Sequence, residues 1–180
     1  MFNFKKFKKM KRSSLTLCLA LMTVFAFAGG IKVSQGKASF MKNEGTVNVV
    51  FNWKDAMWNN EKPVKEQWND EYDAYVEKGE AFFIEGFNKT SKKVKIVKDT
   101  SADYVMTVNF SNFDRFYSVM SLVPGNKHKI WGEIVVTDKR TGEVICKYLV
   151  DEFKGGRDFS IFDCFTESMT DLGSELAGTK

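Results

Sequence analysis

The sequence is poor in the residues that most catalytic and metal sites need. Its 180 residues hold one histidine, His128, and three cysteines. One imidazole excludes a His-based zinc site by count, and the cysteines lack the paired spacing that zinc requires. No Gly-x-Ser-x-Gly elbow offers His128 a serine partner, and no Asp-x-Asp-x-Asp-Gly loop offers calcium a cage. His128 stands between Lys127 and Lys129, cations that oppose a protonated ring, and it reads as a solvated surface histidine. Acidic residues are plentiful, and Glu133, Asp138, Asp151 and Glu152 gather around one predicted hairpin. Nothing sets one of them to stay protonated while its neighbour ionises, which acid–base work requires. They read as surface charge, and the chain reads as a non-enzyme without a cofactor.

What is present first is an address. Lys5, Lys6, Lys8, Lys9, Lys11 and Arg12 precede an uncharged apolar stretch, Leu15–Ala28, that ends in Ala26-Phe27-Ala28. Basic, apolar and small-residue regions in that order make a secretory signal peptide, residues 1–28, cut after Ala28. The apolar stretch has 14 residues, where a membrane-spanning helix needs about 20. The expectation is an exported protein, periplasmic or extracellular, with no transmembrane segment after cleavage. Cys18 falls inside the signal, and Leu17 before it is not the small residue a lipid-anchoring site wants.

Removal of the signal changes the charge. It carries six of the 27 basic residues and none of the 23 acidic ones, leaving 21 against 23, a net charge of −2. Nucleic-acid binding needs a basic footprint, and none remains. The cluster Lys89, Lys92, Lys93, Lys95 and Lys98 reads as a solvated face.

Residues 29–45, rich in Gly, Lys, Ser, Gln and Asn, read as a flexible leader, and residues 46–180 as one domain. Thr46–Trp53 alternates as a half-buried strand. From Pro63 to about Asn88, Val64, Trp68, Tyr72, Tyr75, Phe82, Phe83 and Phe87 recur at helical spacing, with Gly79 and Gly86 placed for close backbone approach. Strands Val94–Lys98 and Tyr104–Phe110 follow. A hairpin then joins Lys129–Thr137 to Glu143–Asp151, with Gly142 suited to a left-handed turn position. Ser160 and Asp163 start a C-terminal helix whose apolar face is Phe162, Phe165, Met169, Leu172 and Leu176. The order β-α-β-β-β-β-α predicts an α+β fold: one mostly antiparallel sheet of about five strands, with both helices on one face.

Three features carry binding hypotheses. Phe113–Gly125, with Phe113, Phe116, Tyr117, Met120 and Leu122, is too apolar for an idle connection. It reads either as an exposed partner-binding segment or as a flap that completes the core. Gly155, Gly156 and Arg157, just before a helix, form a weak candidate anion site. Cys146 and Cys164, an even pair in an oxidising compartment, leave two readings open, a disulfide or two buried thiols. The functional expectation is an exported interaction module whose partner is a protein, a lipid or a small apolar ligand. The alternative is a carrier that holds such a ligand between sheet and long helix, lined by Tyr72, Tyr75, Phe82, Phe83 and Tyr104.

The run Ile130-Trp131-Gly132-Glu133-Ile134, with Thr137-Asp138, Thr141-Gly142-Glu143-Val144, Asp151-Glu152, Gly155-Gly156, Asp158-Phe159, Cys164-Phe165 and Leu172-Gly173, resembles a family of uncharacterised small exported proteins of Bacteroidota-type bacteria. The element order also resembles the periplasmic lipoprotein domains related to the TolB amino-terminal domain, which implies an envelope interaction module. Neither resemblance carries a catalytic residue across.

Overall fold

The computed structural model describes residues 29–37, 44–118, 125–157 and 160–179; the expected signal peptide lies outside them. Eight strands run in chain order: β1 Gly30–Gly36, β2 Gly45–Asn52, β3 Met57–Trp58, β4 Lys62–Pro63, β5 Val94–Val97, β6 Tyr104–Ser118, β7 Gly125–Asp138 and β8 Val144–Gly155. The helices are α1 Val64–Trp68, α2 Tyr72–Thr90 and α3 Ile161–Gly178, with a single 3-10 turn at Asn69–Glu71 between the first two. The fold is α+β, with two long helices over one open, mixed sheet ordered β1-β8-β7-β6-β2-β5.

The sheet is larger than five strands, and not all of it is antiparallel. The β1-β8-β7-β6 half is antiparallel, but β2 runs parallel to both β5 and β6. A helix between two neighbouring strands returns the chain to the same end of the sheet, and α2 does this between β2 and β5. Gly30–Gly36, expected within a flexible leader, is an edge strand on β8. Its only apolar residues are Ile31 and Val33, too few to reveal alternation, and backbone pairing supplies the rest.

Alternation places Val47 and Val49, Met106 and Val108, Ile134 and Val136, and Tyr148 and Val150 on the face beneath the helices, all nearly or fully buried. Each such side chain contributes about 1.5–3 kcal/mol of hydrophobic stabilisation. The opposite face holds Val50 and Leu149, both 45% exposed, with Thr107 and Val135 half-buried between them. The helices meet closely. A Cβ on Gly86 would collide with the Thr170 carbonyl, and one on Gly173 with the Phe83 carbonyl. Ser174 Oγ donates to the Gly86 carbonyl across that contact at 3.1 Å.

Local chemistry sets the element ends as expected. Ser160 Oγ accepts from the Asp163 N–H at 3.3 Å to start α3. Between β7 and β8, the Asp138 carboxylate accepts from the N–H groups of Arg140 and Thr141, both at 2.9 Å, and Gly142 takes φ +72°. The long helix is broken where none was expected: Asn69 sits at φ +44°, which ends α1 before α2 begins.

Candidate functional site

The β6–β7 hairpin outruns its neighbours. β2 pairs with β6 only as far as Asn109, and β3 extends that side at Asn112 and Phe113. Beyond Asp114 and Lys129 the two strands pair chiefly with each other, through Ser118 and Gly125. The described part of the segment expected to be a connection, 113–118 with Gly125, is therefore strand. Phe113, for which an exposed binding segment and a core-completing flap were both open, is fully buried against Trp53, Trp68, Phe110 and Phe165. It completes the core because its strand continues the alternation past a bulge at Ser111. Phe116 and Tyr117 lie on the β6 backbone beyond it, and Met120 and Leu122 lie outside the described residues.

At the base of this arm, four segments distant in sequence enclose a cleft of about 450 Å³. The β3–β4 turn contributes Trp58 and Asn59, and the α1–α2 junction contributes Gln67, Trp68, Glu71 and Tyr75. Arg115 comes from β6 and Ile161 from the start of α3. The turn is tight: Asn59 and Asn60 take φ +53° and +57°, and the Glu61 N–H donates to the Trp58 carbonyl at 2.9 Å. Two bonds tie it to β6. The Asn59 N–H donates to the Phe113 carbonyl at 2.7 Å, and the Asn60 N–H to Asn112 Oδ1 at 2.8 Å.

The aromatic walls hold one another rigidly. Trp68 stacks on Tyr75 with ring centroids 4.7 Å apart and meets Phe165 edge-on at 5.1 Å. Trp58 contacts Trp68 at 6.3 Å. Among the described residues, the indole N–H groups of Trp58 and Trp68 and the Tyr75 hydroxyl meet no hydrogen-bond partner, yet none of the three is sealed from solvent. Trp53 differs, since its indole N–H donates to Glu80 Oε1 at 3.0 Å. Burial raises the Tyr75 pKa, the Glu71 carboxylate raises it further, and the Arg115 guanidinium opposes both. The Tyr75 hydroxyl thus feels an anion and a cation at once.

His128 lies behind this wall, and it corrects the expectation of a solvated ring. It is fully buried, 5.8 Å from the Trp58 ring and 6.0 Å from Phe165. β7 begins at Gly125, so alternation puts His128 on the core face with Ile130. Desolvation holds its pKa down to about 4, helped by the cross-strand Arg115 cation and opposed by the backbone of Cys164. Neither ring nitrogen reaches a partner with hydrogen-bonding geometry among the described residues. Its alternation with Ile130, Ile134 and Val136 was the signal that sequence reasoning passed over.

Two other candidates take definite form. The N–H of Gly156 donates to Asp171 Oδ2 at 3.2 Å, and that of Arg157 to Glu167 Oε2 at 2.6 Å. Carboxylates of α3 thus occupy the Gly156 and Arg157 amides of the Gly155–Gly156–Arg157 anion candidate and would repel an incoming anion. Cys146 and Cys164 are buried thiols not joined in a disulfide. Cys146 lies near the start of β8, where its thiol donates to Tyr148 Oη at 3.5 Å. Cys164 lies against Gly156, just past the other end of that strand, about 30 Å away by strand rise. Of the aromatic residues expected to line a carrier cavity, Phe83 is fully buried core packing, met edge-on by Phe51 at 5.4 Å, whereas Tyr75 lines the cleft.

A larger, shallower groove of about 640 Å³ lies between Ile31, Phe153 and the end of α3. Its wall includes Asp171, which already binds the chain's own amide. No group of three or more His, Cys, Asp or Glu side chains suited to a metal ion occurs among the described residues. No helix described is long and apolar enough to cross a membrane.

No family model matches the sequence, and no curated protein matches it. Solved structures to which the chain shows similarity include the PelC dodecamer from Paraburkholderia phytofirmans, with a TM-score of 0.43 and 14% identity over 82% of this chain and 98% of that one. Protein XCC0632 from Xanthomonas campestris, of family DUF330, gives a TM-score of 0.38 at 14% identity over 76% and 82% of the two chains. Hypothetical protein CT253 from Chlamydia trachomatis gives 0.36 at 11% identity over 76% and 99%.

Proposed function

We propose that this chain is an exported, non-enzymatic binding module that takes its ligand or partner at the cleft beneath the β6–β7 arm. The observation that carries the reading is a concentration of unsatisfied hydrogen-bonding capacity in one place. Trp58, Trp68 and Tyr75 offer donors with no protein acceptor among the described residues, and neither His128 nitrogen behind them meets a partner in hydrogen-bonding geometry among those residues. Donors that reach solvent at the wall of an aromatic cleft are available to a ligand there. Catalysis is not supported by the same groups: His128 has no carboxylate to orient it among its ring contacts and stays neutral down to about pH 4.

Export rests on the leader, with cleavage after Ala28, a position that leaves strand β1 whole. The test is native mass spectrometry of the protein recovered from the exported fraction of its host. The expected species is a chain starting at Gly29 that carries a noncovalent additional mass, lost in Arg115→Gln. A bare chain retaining Met1, found only inside the cell, contradicts both parts of the proposal.

A further inference from the structure

Provided that the binding-module reading holds, the cleft's chemistry narrows its ligand by exclusion. Arg115 already has a partner, so its guanidinium serves the site as fixed wall and not as a grip for an anion. The Glu71 carboxylate, by contrast, forms no ion pair among the described residues. The charge left open to a ligand is therefore negative, which opposes a carboxylate or a phosphate. A cation suits Glu71 alone: it brings only donors, and the indole N–H groups of Trp58 and Trp68 need an acceptor. The side-chain amides of Gln67 and Asn59 meet no partner among the described residues, and each has hydrogen bonds both to give and to take. An apolar ligand would strip water from all these groups and pair none of them.

The packing of the rings excludes a flat aromatic ligand as well. Trp68 is already stacked on Tyr75, with planes 14° apart, and Trp58 and Phe165 stand edge-to-face beside it. Only 8% of Trp58 and 6% of Trp68 and Tyr75 is exposed, so these rings offer rims rather than faces. Neither a nucleobase nor a ring-centred ammonium finds a platform there. What remains is a small, neutral molecule whose groups each give and accept a hydrogen bond, which is the chemistry of a sugar hydroxyl.

We propose that the cleft binds a neutral pyranose, either as a free sugar or as one unit of a neutral glycan. Its hydroxyls donate to Glu71 and to the side-chain carbonyls of Gln67 and Asn59, and its oxygens accept from the two indole N–H groups and the Tyr75 hydroxyl. Ile161, 40% exposed at the start of α3, meets the C–H flank of the ring. The volume of about 450 Å³ suits one or two such rings. Mutual ring packing fixes the donors before the ligand arrives, which lowers the entropy lost on binding.

The test titrates the protein produced from the full chain, at millimolar concentrations, with glucose, galactose, mannose, cellobiose and lactose. Glucuronate, galacturonate and tetramethylammonium are the comparison probes, and tryptophan fluorescence and melting temperature are the readouts. At least one neutral sugar is expected to shift both, and each uronate to bind about tenfold more weakly than its neutral parent. Glu71→Gln, at an exposed position, should weaken the neutral sugar about tenfold and erase the penalty against the uronate. Tyr75→Phe, which removes only the hydroxyl, should weaken it about threefold to tenfold. A disaccharide that binds far more tightly than its monosaccharides identifies a glycan unit as the source, and equal binding identifies the free sugar. No response to any neutral sugar, a uronate that binds as well as its parent, or an unaltered Glu71→Gln variant overturns the assignment. A response to tetramethylammonium without one to sugars also overturns it, while leaving the binding-module reading in place.

Discussion

The two ends of the β6–β7 hairpin are built on opposite principles. At the Tyr104–Asp138 end, polar groups are consumed locally. Asp99 accepts from the Ser101 N–H and hydroxyl, both at 2.8 Å, and Asp138 accepts from two turn amides. The Lys139 N–H donates to the Asp103 carbonyl at 2.8 Å, and its ammonium to the Thr100 carbonyl. At the Arg115–His128 end, rings crowd together while their donors, and both nitrogens of a buried imidazole, stay open among the described residues. One strand pair therefore carries a closed turn that fixes register and an end whose polar groups are held ready. The difference teaches that one strand pair can spend its polar groups in a turn at one end and leave them open over a packed aromatic wall at the other.

The strongest way to break that comparison is to remove what separates the open end from the core. Phe113→Ala takes away a ring packed against four aromatic neighbours and should cost about 3–5 kcal/mol of unfolding free energy in denaturant titration. A loss no larger than that of a surface substitution would mean the arm is not anchored there.

Acid should attack the open end next. Above pH 6.5 the ring is neutral in both folded and unfolded chains. As pH falls below that value, the unfolded chain gains a proton that the folded chain refuses until about pH 4, so stability drains away across this window. The shift corresponds to a loss of about 3 kcal/mol, and His128→Leu should remove that acid limb while keeping stability at neutral pH. An acid limb unchanged in the variant would show that His128 is not the group responsible.

The closed end should give the smallest effect. Asp138→Ala removes turn bonds at a fully exposed carboxylate, so a slight drop in melting temperature is expected, with ligand binding and the acid limb of His128 both unaltered. A change in binding would join the two ends that the structure keeps apart.

Legibility in the sequence followed the range of the interactions involved. The Ser160–Asp163 helix start, the Gly142 turn and the main order of strands and helices are local and were read correctly. The Gly86 approach was also legible, since a glycine on an aromatic helix face has few other reasons to be there. What was missed depends on distant partners. β1 exists because β8 offers an edge, and its own seven residues carry little pattern. The parallel pairing of β2 follows from the helix that returns the chain, not from any residue within the strand. His128 was misplaced, and Phe113 was left between two readings, because β6 and β7 extend past the expected connection, which only cross-strand register reveals. The cleft joins residues from 58 to 161, and spacing along a chain cannot show such a meeting.

The most direct test is a broad small-fragment screen followed by indole and amide NMR signals of the protein. The account predicts that fragments move the indole signals of Trp58 and Trp68 while that of Trp53 and the amides of Arg140, Thr141 and Gly142 stay still. Fragments that gather at the Asp138 turn or on the open sheet face, with Trp58 and Trp68 unmoved, would contradict it.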